Sequence, residues 1–157
     1  MAHELTIAND RAEMAYVGNV PWHGLGQKLE EGASIETWKQ AAGMAWKINR
    51  SRVRYGEEPN QRIFDQARVL FRSDNKDPLG VVSPKYNIVQ PGEVLEFFRD
   101  IAGVAGARLE TAGTLFGGRK FWALAKLGES ESIRANDEVG QYLLLASTCD
   151  GSGPTEA

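Results

Sequence analysis

Three arginines, Arg50, Arg52 and Arg54, alternate with other residues along a short stretch of the chain. On a β-strand, alternate side chains share one face at intervals of about 6.6–6.8 Å, close to the spacing of consecutive phosphates in an extended single strand. The guanidinium group also makes bidentate hydrogen bonds to phosphate and stacks on bases. The pattern therefore predicts contacts to a nucleic-acid backbone.

Residues 46–72, which contain these arginines, carry seven cationic and three acidic side chains, an excess of four positive charges. The whole chain of 157 residues has a formal net charge of -3. Wholesale attraction to nucleic acid or anionic lipid is therefore not expected, and a basic site must be local. The alternative is a solvated sheet face that acidic helices or a partner neutralise.

A second group of cations lies beside aromatic residues, immediately after a Gly-Gly pair. In sequence order its members are Phe116, Arg119, Lys120, Phe121 and Trp122. Aromatic rings next to cations provide stacking platforms for single-stranded nucleic acid. We expect Arg119 and Lys120 to be secondary backbone contacts and Trp122 to be a stacking group.

Residues suited to catalysis or metal binding are few and lie far apart in the sequence. His23 could transfer protons, although a histidine in a glycine-containing turn more often hydrogen-bonds the backbone. Cys149 could be a nucleophile if a histidine base came near, but a partly buried, unreactive thiol is more common. His3, His23 and Cys149 lack metal-ligand spacing, and the Gly113–Lys120 stretch lacks the Lys-Ser/Thr pair of a phosphate loop. We expect no catalytic residue, no metal and no cofactor.

The chain has one cysteine, so an intrachain disulfide framework is excluded. Its first ten residues lack the apolar region of a signal peptide. The apolar run at 142–146 is far shorter than the ~20 residues that a spanning helix needs. We expect a cytoplasmic protein without a membrane partner.

Two amphipathic stretches predict helices. The first covers residues 35–42, with Ser34 as N-cap and Gly43 as the stop. The second begins at Pro91 and ends at Gly103, with the apolar spacing of one helix face at Val94, Phe97, Phe98 and Ile101.

Period-two patterns predict strands around these helices. They cover residues 44–55 with a bulge near 49–51, a hairpin of 68–73 with 79–82, a second hairpin of 107–115 with 119–127, and, after a polar linker at 128–132, a buried strand at 141–148. The order α-β-β-β-α-β-β-β predicts an α+β domain, with a mostly antiparallel sheet and both helices packed on one face.

Residues 1–33 are expected to form an extended arm packed on the domain formed by 34–157. Since the strand at 141–148 is typical of a central strand, we expect the domain to be truncated at its C-terminus.

The chain resembles a family of phage- and plasmid-borne proteins known as domain of unknown function 932. The resemblance lies in Tyr16-Val-Gly, Pro21-Trp-His-Gly-Leu-Gly26, Val82-Ser-Pro-Lys-Tyr-Asn-Ile-Val-Gln90, Leu115-Phe-Gly-Gly-Arg-Lys-Phe-Trp-Ala123 and Tyr142-Leu-Leu-Leu. It implies a setting on mobile genetic elements and supplies no catalytic residues. In outline, an α+β sheet with basic hairpins in that setting is similar to single-strand annealing proteins, by fold-level analogy.

The leading hypothesis is a non-enzymatic module that binds nucleic acid, with single-stranded DNA favoured, in recombination or maintenance of a mobile element. Its backbone contacts are Arg50, Arg52 and Arg54, with Arg119, Lys120 and Trp122 as the second group. The alternative is a module that binds a host protein through the segment around Trp22 and exposed strand edges. Self-association into a homo-oligomer is compatible with either.

Overall fold

The computed structural model describes residues 4–134 and 137–152. In this part of the chain there are two helices, α1 (Ile35–Ala41) and α2 (Pro91–Ala105), and a short 3-10 turn at Phe116–Gly118. The strands are β1 (Ile7–Ala8), β2 (Arg11–Ala12), β3 (Met14–Val17), β4 (Gln27–Leu29), β5 (Ile48–Tyr55), β6 (Arg62–Arg72), β7 (Pro78–Val82), β8 (Arg108–Leu115), β9 (Lys120–Arg134) and β10 (Asp137–Thr148). The predicted α+β class, with mostly antiparallel strands, is confirmed.

The two helices begin where the sequence predicts. The Ser34 side-chain oxygen caps α1 by accepting a hydrogen bond from the Thr37 amide at 3.1 Å. Helix α2 begins at Pro91 but continues through Gly103, where we expected it to end. It ends just before Gly106, whose φ of 64° is the left-handed conformation that terminates helices. A glycine within a helix costs only about 1 kcal/mol relative to alanine, so Gly103 does not stop it.

The strands form three sheets. The strand β1 pairs with β2, the five-stranded sheet has the order β10-β9-β8-β3-β4, and the three-stranded sheet has the order β5-β6-β7. All pairs are antiparallel except β3 with β4. Most of these antiparallel neighbours are also consecutive in the chain, because a short hairpin connection is enough to reverse direction.

The segment predicted to be an extended arm contains two strands of the five-stranded sheet. The strand β3 lies between β8 and β4, and its residues Met14, Ala15 and Tyr16 are buried. The strand β4 forms one edge of that sheet. Residues 14–29 therefore take part in the sheet that both helices cover.

One prediction about the last strands is wrong, because the polar linker expected at 128–132 is part of β9. Among the described residues, β10 pairs with β9 alone. In β10 the side chain of Leu145 is buried, whereas Tyr142 and Leu144 are each 51% exposed. A leucine-rich pattern is thus compatible with a strand that buries one face.

One apolar core supports both larger sheets. It combines Trp38 of α1 and Phe98 of α2 with Phe121 of β9, and it also includes Ile48 and Leu70 of the three-stranded sheet. Burying each such side chain contributes roughly 1.5–3 kcal/mol. Neither α1 nor α2, the helices of the described residues, has the length and apolar character needed to cross a membrane.

Candidate nucleic-acid interface

The strand β5 is an edge of the three-stranded sheet, and it carries the alternating arginines. Arg50, Arg52 and Arg54 are all exposed. Alternate side chains of an uninterrupted strand share one face, so the three arginines lie on the same face of β5 as Ile48. Ile48 is buried in the core, so the arginines continue that face outward from the core.

The irregularity expected near residues 49–51 of β5 lies on the neighbouring strand instead. Residues 65–67 of β6 are left out of the ladder just beyond the pair formed by Arg52 and Arg68. The Arg68 guanidinium donates to two carbonyl oxygens of this bulge, at 3.0 and 2.7 Å. These bonds hold a fourth arginine side chain directly opposite Arg52.

A groove runs along β5 beside the loop 83–90, and we call it the arginine groove. Its first cavity, of about 650 Å³, is lined by residues 48–50, Phe71 and residues 86–88. Its second cavity, of about 320 Å³, is lined by Arg50, Ser51, Arg52, Arg68 and Pro84. Arg50 lines both cavities, and none of these lining residues is acidic. The groove therefore presents three guanidinium groups to a ligand.

The loop that faces β5 is anchored at two residues, Tyr86 and Gln90. The Gln90 side chain accepts from the Ile48 amide at 2.8 Å and donates to the Ile48 carbonyl oxygen at 3.2 Å. The Tyr86 hydroxyl donates to the carbonyl oxygen of Thr148 at 3.0 Å, and burial raises the pKa of Tyr86. These contacts tie the loop to β5 of the three-stranded sheet and to β10 of the five-stranded sheet.

One cation of the basic stretch does not contribute to this surface. Arg72 is buried, and its guanidinium lies between Glu13 (2.7 Å) and Asp74 (2.7 Å), and over the ring of Trp46. Hydrogen bonds from Arg72 lower the pKa of Asp74. The sequence-based excess of four charges consequently overstates the charge available to a ligand.

Arg54 lies beyond the groove, on the part of the β5–β6 hairpin that projects from the core. It is opposite Ile63 and lines neither cavity. Tyr55, Ile63 and Phe64 on the same projection are between 42% and 52% exposed. The projecting hairpin therefore combines cations with exposed rings, a composition that suits single-stranded nucleic acid.

The second predicted group is divided by the fold. Lys120 and Trp122 share the outer face of β9 and are half-buried, whereas Phe121 points into the core and cannot be a stacking platform. Arg119 precedes β9 and is exposed, and its carbonyl oxygen accepts a hydrogen bond from the Cys149 amide at 2.9 Å. Lys120 and Trp122 thus lie on a different sheet from Arg50.

The two surfaces meet at the end of β10. Thr148, which accepts the hydrogen bond from Tyr86 of the arginine groove, is the register partner of Lys120. Tyr86, which lines the first cavity, is therefore hydrogen-bonded to the residue that pairs with Lys120 of β9. The sequence offered no indication of this junction, because it depends on a contact between residues 62 positions apart.

The two residues considered for catalysis, His23 and Cys149, make hydrogen bonds to the main chain. His23 Nδ1 accepts a hydrogen bond from the Leu25 amide at 3.0 Å, as expected for a histidine in a glycine-containing turn. The Cys149 thiol is buried and donates to the carbonyl oxygens of Gly118 and Arg119, and burial raises its pKa to about 12. Within residues 4–134 and 137–152, no cluster of His, Cys, Asp or Glu side chains could hold a metal ion.

Sequence reasoning missed most of the groove's other lining residues. Arg68 enters the sequence analysis only through the net charge, Tyr86 and Asn87 only as part of the motif Val82–Gln90, and Phe71 has no predicted role in binding. The alternation of Arg50 and Arg52 identifies one wall of the groove. The opposite wall comes from a loop more than thirty positions away in the chain.

Comparison with known proteins identifies one family. Residues 78–157, about half of the chain, match the family model described as domain of unknown function (DUF932). The matched region begins at β7 and includes α2, β8, β9 and β10, as well as the loop that forms the far wall of the arginine groove. No curated protein and no solved structure shows significant similarity to the chain.

Proposed function

The chain belongs to the DUF932 family, and on that premise we propose that it is a non-enzymatic module that binds single-stranded nucleic acid, with single-stranded DNA favoured. We place its activity in recombination or maintenance of a phage or plasmid genome. The observation that carries the proposal is the arginine groove, where Arg50, Arg52 and Arg68 line adjoining cavities whose lining residues include no acidic side chain. Guanidinium groups in such an arrangement bind phosphates bidentately.

The geometry favours a single strand over a duplex. The groove follows the edge of β5, where the spacing of alternate side chains suits consecutive phosphates of an extended backbone. Exposed rings of Tyr55 and Phe64 on the projecting hairpin provide stacking surfaces that a duplex would leave unused, and the half-buried Trp122 lies on the outer face of β9. The whole chain's net negative charge confines binding to this local site.

The test is fluorescence anisotropy with a labelled single-stranded oligonucleotide of mixed sequence, titrated at two salt concentrations beside a duplex of the same sequence. The proposal expects saturable binding that prefers the single strand and weakens as salt increases. Absence of binding at low salt would refute it. An RNA oligonucleotide of the same sequence distinguishes DNA from RNA.

A second candidate is binding to a host protein. It is favoured by the 84% exposure of Trp22 and by the half-exposed Tyr142 and Leu144 on the outer face of β10. A pull-down from host lysate with and without nuclease separates the two functions. A retained protein band that is lost in a Trp22→Ala variant supports protein binding, whereas material lost on nuclease treatment supports nucleic acid.

A further inference from the structure

The main chain of β5 offers hydrogen-bonding groups to the first cavity of the arginine groove. Successive residues of an antiparallel strand direct their N–H and C=O groups to opposite sides. Ile48 directs both groups away from β6, toward the Gln90 carboxamide. Arg50, two residues later on this edge strand, therefore directs its N–H and C=O to the same side, where no strand formed by residues 4–134 or 137–152 pairs with it.

The contact between Gln90 and Ile48 shows what kind of group fits this edge. A planar carboxamide presents a donor and an acceptor side by side, and it satisfies the N–H and C=O of one residue together. The Watson–Crick edge of every nucleobase also carries an adjacent donor and acceptor. A base placed against Arg50 can repeat the hydrogen-bond pattern that Gln90 makes with Ile48.

The chemistry of the first cavity suits a nucleobase, and that of the second cavity suits a phosphate. The residues that line the first include two aromatic residues, Phe71 and Tyr86, and two asparagines, Asn49 and Asn87. The second is lined by guanidinium groups, with Arg50 at the boundary. A cavity of 300–1,000 Å³ is a typical size for a small-molecule site, so about 650 Å³ accommodates a nucleoside.

We propose that the first cavity holds one unstacked base of a nucleotide, hydrogen-bonded to the main chain of Arg50, while the second cavity holds the adjoining phosphates. This inference rests on the proposed function, because it assigns the contents of the same groove. The main-chain contact is tolerant of sequence, since all four bases satisfy it. The nucleotide is part of a single strand or is free in solution, and the experiment distinguishes these sources.

The first test compares two ligands on the unmodified protein. One is a labelled oligothymidylate of about 12 nucleotides, within the range that single-strand-binding folds cover, and the other is a fully abasic backbone of equal length. Base insertion predicts that oligothymidylate binds about 5- to 150-fold more tightly. Equal binding of both ligands would overturn the inference and leave the proposed function intact, whereas binding of neither would refute the proposed function.

The second test isolates the main-chain hydrogen bond. Arg50→Ala and Arg50→Pro both remove the guanidinium group, but only proline removes the amide hydrogen, and an edge strand tolerates proline. We expect Arg50→Pro to bind oligothymidylate about 2- to 12-fold more weakly than Arg50→Ala, with no difference between them for the abasic backbone. Equal affinities of two folded variants for oligothymidylate would overturn the main-chain contact.

Two further measurements keep the proposal testable if the proline variant does not fold. Asn87→Ala should weaken binding of oligothymidylate and leave abasic binding unchanged, with Asn19→Ala, an exposed asparagine in the 18–26 loop, as the matched control. Equal effects of the two substitutions would contradict the assignment of the cavity.

A displacement experiment with thymidine monophosphate distinguishes a free nucleotide from a base within a strand. If the monophosphate displaces the oligonucleotide from the unmodified protein, but not from Asn87→Ala, the ligand is a free nucleotide. If it fails to displace the oligonucleotide, the ligand is a base within a strand.

Discussion

Removing the charge of Arg50 and Arg52 should reduce both the affinity of the protein for a single strand and its dependence on salt. These two side chains line the arginine groove and are exposed, so their replacement by alanine leaves no buried group without a partner. The matched control is Arg11→Ala with Lys28→Ala. It removes two exposed cations from other sheets and changes the net charge by the same amount.

The size of the effect follows from counterion release. For single strands, the logarithm of the binding constant falls with the logarithm of salt concentration by about 0.7 per phosphate contact. Losing two contacts therefore reduces the slope by about 1.4. The ionic contribution vanishes at 1 M salt. At 0.1 M salt, one decade lower, the reduced slope corresponds to an affinity about 25-fold weaker than that of the wild type.

Anisotropy titrations at four or more salt concentrations measure both quantities. We expect the Arg50→Ala/Arg52→Ala variant to lose affinity similarly for oligonucleotides of different sequence, because phosphate contacts carry no sequence information. The Arg11→Ala/Lys28→Ala control should retain the wild-type slope. Equal losses in the two variants would show that net charge, rather than the arginine groove, determines binding, and the reasoning from the groove would fail.

Three other predictions concern buried and ionisable groups. Arg72→Met leaves the buried Glu13 carboxylate unpaired and should lower the free energy of unfolding by about 3–5 kcal/mol in urea denaturation; an unchanged midpoint would contradict this. Because Arg72 lowers the pKa of Asp74, the stability that Asp74 contributes is present above its unfolded pKa of about 3.9 and is lost as pH falls through its folded pKa. Urea midpoints at pH 7 and pH 3 should therefore differ less in Asp74→Asn than in the wild type. Burial raises the pKa of Cys149 to about 12, so iodoacetamide should modify the folded protein slowly at pH 9 and the unfolded protein rapidly; rapid modification of the folded form would show an accessible thiolate.

The sequence predicted where both helices begin, because the start of a helix depends on residues adjacent to it in the chain. Ser34 caps α1, and Pro91 begins α2, because both residues act on the nearest backbone amides. The end of α2 was wrong because Gly103 and Gly106 are equally plausible stops in sequence, and the backbone conformation chooses between them. The linker predicted at 128–132 was wrong because those residues extend β9 through pairing with β10, which no local pattern records.

The candidate site could be predicted only along one strand. The alternation of Arg50 and Arg52 placed them on one face of β5, since that periodicity is intrinsic to an extended chain. Arg68 joins them because residues 65–67 of β6 bulge from the ladder, and no pattern in the sequence specifies that register. The loop 83–90 joins them through the hydrogen bonds of Gln90 and Tyr86, which are contacts between distant parts of the chain.

The arginines of the three-stranded sheet differ in burial and in their ion pairs. Arg72 is opposite the buried Ile48 and is held by two carboxylates, so a phosphate would have to displace those carboxylates to reach it. Arg50 and Arg52 lie farther along the same face, and no ion pair to either is seen in the described parts of the chain. Among the described residues, a phosphate would displace no carboxylate from Arg50 or Arg52, whereas reaching Arg72 would break a buried ion pair. Identical residues in one charged stretch therefore stabilise the fold at one end and remain available for a ligand at the other.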